Sequence, residues 1–200
     1  MNMITHTQYI LASSSNSRKK ILESCGFNFV QIKPICDEEQ IKKKIKKTKT
    51  PSTIAKILSY EKAKSISKLN KYTNRYVIGC DTLINLNNKV FDKAKNLNEA
   101  KIKIKQLSGK KHKIISGVTI CKDGKRIWSC VVTTQVKIRK LNSLEINEYL
   151  LKAGKKVLHS VGCYQVESLG PQIIEEIRGD FFNVMGLPLF KLLKYVSSNK

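Results

Sequence analysis

The sequence predicts a mixed α/β fold on three observations. An apolar strand near the N-terminus, "YILAS" (9–13), runs through a serine-rich turn into a helix. In the middle, "HKIISGVTIC" and "RIWSCVVTTQVKIR" are β-branched runs on either side of the turn "KDGK", and read as a long antiparallel pair. Capped segments with apolar stripes alternate with these strands and read as helices. At 200 residues the chain suits one domain over 1–200, or two small lobes, and can bury a sizeable core.

Taken in order, residues 9–13 form the first strand. Residues 18–25 form a helix that turns Ile21 and Leu22 inward, with Ser15 or Ser17 as N-cap and Gly26 as its stop. Backbone N–H groups and the helix dipole at such a turn favour an anion, with Arg18 and Lys19 beside it. A capped turn with solvated cations explains the same residues. Residues 27–35 read as a second strand, followed by the acidic "CDEE" (36–39) and a charged connector, "KKKIKKTKT".

Thr50 caps a helix with Pro51 in its first turn, and Ile54, Ile57, Leu58, Ile66 and Leu69 form its stripe. Glu61 and Lys62 lie off that stripe, at its edge or in solvent. Residues 75–86 begin as a buried strand that meets Asp81 and Thr82. A carboxylate ending an apolar strand requires a partner or a metal. Asn87 and Asn88 suit a hairpin turn. Asn98 caps a helix with Ala100, Ile104 and Leu107 inward, stopped by Ser108 and Gly109. After the long hairpin come a helix at about 143–152, a strand at "VGCYQVE", a short element at "GPQIIEEI" and a closing helix over 187–196 begun by Pro188.

Composition narrows the function classes. An apolar content of 41% argues against disorder, and no apolar run approaches the roughly 20 residues of a membrane span. The N-terminus lacks the pattern of a secretory signal. Six cysteines without a C-x-x-C pair suit reduced thiols in a cytoplasm rather than a zinc site. A net charge of +23 suggests a polyanionic partner, but only five of the 38 cations are Arg, and the rest read first as a solvated lysine surface. His6, His112 and His159 form no ligand spacing, and His112 reads as a surface or edge histidine. Basic residues are not interleaved with aromatics, which leaves no specific nucleic-acid partner.

Four features suit triphosphate chemistry when taken together: the serine turn with Arg18, the pair Asp37 and Glu38, Lys62, and Asp81 followed by Lys93. Carboxylates hold Mg²⁺, while Lys and Arg neutralise phosphate charge. Each alone is an ordinary cap, turn or surface residue.

The ensemble resembles the Maf family of nucleotide pyrophosphatases. "LASSSNSRKKIL", "CDEE", "YEKAKS", "VIGCDT", "FDKAKNLNEA", "LSGKKHKIISGV" and "GDFFNVMGLPL" follow that family's order from about residue 10 to 194. The resemblance implies a fold similar to that of inosine triphosphatase, a long mixed β-sheet with flanking helices in two lobes around a central cleft, and commonly a homodimer. It implies a hydrolase dependent on a divalent cation, Mg²⁺ or Mn²⁺, that splits a nucleoside triphosphate into monophosphate and pyrophosphate. Asp81 matches the family's proton acceptor and metal-site aspartate, and Glu38 its second acidic residue. Lys62 and Lys93 match its phosphate lysines, and Ser13, Ser15 and Arg18 its phosphate loop. Asn16, Ser17 and Ala94 depart from the family's usual Pro, Arg and Pro.

Glu167 departs from the Gln of members that resemble dTTP/UTP pyrophosphatases. A carboxylate only accepts hydrogen bonds, which suits the N1–H and N2–H₂ donors of guanine, as in 7-methyl-GTP-type members. A surface glutamate at a strand end is the plain alternative. The competing functional readings are a dTTP/UTP pyrophosphatase and a non-catalytic, basic nucleic-acid-binding or cell-division regulator.

Overall fold

A computed structural model describes residues 9–45 and 48–198. The strands are β1 (Tyr9–Ala12), β2 (Phe29–Ile32), β3 (Val77–Leu86), β4 (Lys89–Phe91), β5 (Lys111–Lys122), β6 (Lys125–Ile138) and β7 (Ile174–Arg178). The helices are α1 (Asn16–Ser24), α2 (Glu38–Ile45), α3 (Pro51–Ser67), α4 (Leu97–Leu107), α5 (Ser143–Ala153), α6 (Phe181–Val184) and α7 (Leu189–Ser198). The strands form one mixed sheet in the order β2-β1-β3-β5-β6-β7, with β4 paired to β3. His6 and the Lys46–Lys47 portion of the lysine run lie outside the described residues.

The chain divides into two compact units. One comprises the described residues through Thr82, Ser116–Val132 and those from Gly186 onward; the other comprises Leu83–Ile115 and Thr133–Met185. In the first, β1 pairs in parallel with β2 and with β3, so the chain leaves β1 toward one side and returns on the other. Such a reversal opens a crevice at the carboxyl ends of parallel strands. The register Ala12↔Gly79 ends β1 while β3 runs on, leaving Ser13 and Asp81 just past the end of β1.

Helix α3 seals one face of this sheet because two glycines let it approach. A Cβ on Gly79 would stand 2.1 Å from the Ser59 carbonyl oxygen, and one on Gly117 2.4 Å from that of Ala55. Ile10, Ala12, Ala63, Ile66, Val77 and Cys121 form the packed layer between. In the second unit, α4 turns Ala100, Ile104 and Leu107 inward as its period requires, onto Ile114, Val136 and Ile146 among others.

Capping explains most helix boundaries. Ser15 caps α1, Thr50 caps α3, and Asn142 makes a reciprocal capping box with Glu145 at α5. Asn87 and Asn88, at φ 49° and 64°, supply the two left-handed residues of the β3–β4 turn; Asp123 and Gly124 do the same between β5 and β6.

The structure corrects five local expectations. The cap of α4 is Asn96, whose side chain accepts from the Glu99 N–H, so Asn98 lies inside the first turn. The front of the lysine run is not a connector: Glu38 and Glu39 open α2 and Lys42–Lys44 close it, matching the helix dipole at both ends. Asp81 does not end its strand but sits midway along β3, which continues to Leu86. Residues 161–167 form turns rather than a strand, since Cys163 takes φ 58° and Gly162 packs where a Cβ would meet the Tyr164 ring at 2.5 Å. His112 is not at the surface: it is 2% exposed, with Nε2 2.5 Å from the Tyr164 hydroxyl and Nδ1 without a partner.

Two outcomes are expected. Gly79→Ala must drive a methyl group into helix backbone and should cost about 2–3 kcal/mol, read as a lower urea midpoint at unchanged slope. Burial lowers the His112 pKa from 6.5 to about 4. Between those values the unfolded chain binds the extra proton, so the contribution is full above pH 6.5 and fades as pH falls toward 4. The loss is on the order of 3 kcal/mol, and urea titrations across that range should show a shallower decline in His112→Gln.

Candidate active site

The end of β1 carries the first part of the site. Ser13 is buried, and its Oγ accepts from the Ser15 N–H at 3.2 Å and from Arg18 Nη1 at 3.2 Å. With both approaches taken by donors, the Ser13 hydroxyl has its own proton left to give. Ser15 caps α1 by accepting from the Arg18 N–H.

The sequence sets Arg18 beside the turn, next to an anion or solvated, and the structure buries it. Its Nε donates to the Gly186 carbonyl at 2.8 Å and its Nη2 to Thr82 Oγ1 at 3.0 Å, besides the bond to Ser13. Thr82 Oγ1 lies 2.8 Å from Ser116 Oγ and donates to the same Gly186 carbonyl at 3.2 Å. One guanidinium thus joins the β1–α1 turn, β3 and the segment before α7. Lys19, by contrast, is exposed and pairs with Glu23 at 3.5 Å.

The second part is an ion cluster. Lys62 is not in solvent but 6% exposed, because the face of α3 that packs at Gly79 carries its side chain inward. Its Nζ lies 2.6 Å from Asp81 Oδ1 and 2.8 Å from Glu38 Oε2. Burial is the largest influence and disfavours the ammonium, and Arg18 opposes it too; attraction and a hydrogen bond from Asp81 together with attraction from Glu38 favour it, and the Lys62 pKa is raised on balance. The other Asp81 oxygen, Oδ2, is buried without a hydrogen-bond partner.

That orphaned oxygen tests the site for a divalent cation. Among the described residues no group of three or more His, Cys, Asp or Glu could hold a metal ion. Asp81 and Glu38 are two hard oxygen donors, and Mg²⁺ is characteristically bound through one or two carboxylates completed by water and phosphate oxygens. The donor set fits that mode and no all-protein cage.

Ser13, Ser15, Arg18, Glu38, Lys62 and Asp81 therefore fall in one unit, in two bonded groups on adjoining elements. Lys93, exposed between β4 and α4, and Glu167, exposed in the turns after α5, belong to the other unit. The sequence reading assigned no role to Thr82, Ser116 or Gly186. The signal for Thr82 and Ser116 was a hydroxyl inside a largely buried strand, a position that requires a partner, and nothing local marked Gly186.

The two groups differ in what their loss should cost. Lys62→Met strands buried carboxylate charge and should destabilise by about 3–5 kcal/mol, whereas Glu38→Gln, at a half-open position, should cost under about 1 kcal/mol. Chemical denaturation of the two variants beside wild type checks the contrast.

A family model described as "Maf-like protein" matches residues 8–199. The 7-methyl-GTP pyrophosphatase of Bartonella quintana (strain Toulouse) is 39% identical over 184 residues, covering 92% of this chain and 91% of the relative. The nucleoside triphosphate pyrophosphatase of Caulobacter vibrioides is 36% identical over 193 residues, covering 95% and 94%. That of Pelagibacter ubique is 36% identical over 190 residues, covering 94% and 96%. A match of this extent takes in the serine turn, Lys62, Asp81 and the segment around Gly186 alike, and the chain belongs to the Maf-like protein family.

Proposed function

We propose that this protein is a nucleoside triphosphate pyrophosphatase, releasing a nucleoside monophosphate and pyrophosphate. The observation that carries the reading is the unpartnered Asp81 Oδ2, held beside the Lys62 ammonium just past the end of β1. A water on Oδ2 would be oriented by that oxygen and would give it a proton while attacking the α-phosphorus. The bond from the α-phosphorus to the bridging oxygen then breaks, and pyrophosphate leaves with the bonding electrons. Ser13 Oγ–H, with Ser15 and Arg18 of the same turn, is assigned to phosphate oxygens, and Arg18 also fixes Ser13 and Thr82 in place. Lys62 supplies positive charge next to the reacting centre, and Lys93 is assigned to the leaving phosphates.

Glu38 and Asp81 are the residues that would hold a divalent cation. When bound, it supplies neutralisation of phosphate charge and polarisation of the reacting phosphoryl group. For the base we assign Glu167, whose carboxylate complements the donor edge of guanine. The name of the Bartonella quintana relative supports that preference.

The test is release of pyrophosphate from GTP, 7-methyl-GTP, UTP, dTTP, CTP and ATP with Mg²⁺ or Mn²⁺. Asp81→Asn should lower kcat by about 10²- to 10⁴-fold. The guanine nucleotides should lead in kcat/KM, and Glu167→Gln should shrink their lead. No turnover of any triphosphate would overturn the proposal, and a lead for dTTP and UTP would overturn the base assignment.

A further inference from the structure

We infer that Lys62 is the resident counter-ion of the free protein, occupying the two carboxylates so that a divalent cation binds strongly only together with the nucleotide. The inference rests on the proposed triphosphate reading for its second ligand, but its first half concerns this chain alone.

Three observations lead to it. The ammonium lies 2.6 Å from Asp81 and 2.8 Å from Glu38, so one cation already bridges the two oxygen donors that a metal would use. Charge is also close to balanced: the Lys62 ammonium pairs with buried Asp81 and half-open Glu38, and buried Arg18 is near enough for its charge to act on Lys62. A dication added alone would leave that buried cluster with an uncompensated charge of two, which a low-dielectric site opposes. Finally, the protein offers few ligands, because no third acidic, His or Cys side chain completes a cluster among the described residues. A bare metal would keep most of its water there.

A triphosphate changes each of these conditions. Its oxygens supply missing ligands, its charge offsets the dication, and they give the Lys62 ammonium an alternative partner. Lys62 can then turn from the carboxylates toward phosphate while remaining ion-paired. As it turns, Asp81 Oδ1 and Glu38 Oε2 are released to the dication, while Oδ2, already without a donor, stays open to the attacking water. Metal and nucleotide should therefore bind with positive coupling, each raising the affinity for the other by the same factor.

The experiment uses this 200-residue chain and Mn²⁺, with binding read from the electron paramagnetic resonance signal of free Mn²⁺, corrected by the same titration of analogue without protein, and no turnover involved. Wild type should bind Mn²⁺ at least about tenfold more tightly with an α,β-methylene triphosphate analogue than without it, a coupling within the usual allosteric range. In Lys62→Met, Mn²⁺ alone should bind at least about tenfold more tightly than to wild type. It should also raise the variant's thermal midpoint while leaving that of wild type unmoved. Adding Asp81→Asn to Lys62→Met should abolish both effects.

Mn²⁺ affinity in wild type that is equal with and without bound analogue overturns the inference, as does a Lys62→Met protein that binds Mn²⁺ no better than wild type. If Lys62→Met does not fold, Lys62→Gln, which keeps a hydrogen-bond donor for Asp81 but removes the charge, is read in its place against the same outcomes. If the analogue does not bind at all, the triphosphate reading falls, and Lys62→Met alone decides whether the lysine holds the metal position.

Discussion

The contact between helix α3 and strand β3 at Gly79 is the constraint on which the rest of the site depends. With no side chain there, the Ser59 carbonyl comes within 2.1 Å of where a Cβ would stand. Lys62 follows Ser59 by less than one turn, and Asp81 follows Gly79 by two residues on the same face of the strand. Close approach at the glycine is therefore what brings an ammonium and a carboxylate together in a dry interior. A larger residue at 79 would part the two backbones and open the pair, turning a short ion contact into two poorly solvated charges. Gly117 repeats the device on β5, so the helix is held close at two points along its length.

What that closeness costs is shared among neighbours. Buried ions are tolerated when they are paired or fully hydrogen-bonded, and this unit uses each device once. Lys62 takes two carboxylates, while Arg18 is satisfied by neutral oxygens from Ser13, Thr82 and Gly186. The division suits the chemistry of each side chain. A planar guanidinium with several fixed donors serves as a joint between segments, and a compact ammonium on a flexible stem serves as a charge that can change partners. Among the described residues of this unit, Asp81 Oδ2 is the buried side-chain oxygen left without a donor, and it marks where an outside group belongs.

Much of this was legible in the sequence, and the limits have physical causes. Strands, caps and turns are local, so Ser15, Thr50, the Asn87–Asn88 turn and the long hairpin could be read directly. Asn96 rather than Asn98 differs by the two-residue uncertainty that helix ends carry. Lys62 was placed off the apolar stripe because a lysine among hydrophobic residues contributes nothing to an apolar count, whatever ion it meets across the fold. His112 was read as exposed for a similar reason: its burial depends on Tyr164, 52 residues away. The resemblance to a family named the chemistry, but it could not show that Arg18 is spent on protein acceptors, or that Glu38 and Asp81 converge on one nitrogen. Those facts belong to register and packing.

The Arg18 joint has a consequence for how the protein comes into being. Its partners are contributed by the turn after the first strand, by β3 and by Gly186, which lies 168 residues from Arg18 in the chain. Contacts of such long sequence separation close late, because the loop entropy must be met before they form. A chain emerging from the ribosome presents the serine turn long before Gly186. The strands around it can pair beforehand, but Arg18 has no carbonyl to hold until Gly186 has been made. The site therefore cannot be completed on a chain that has not reached Gly186, and a product ending short of it would keep the motif residues without the joint that binds them.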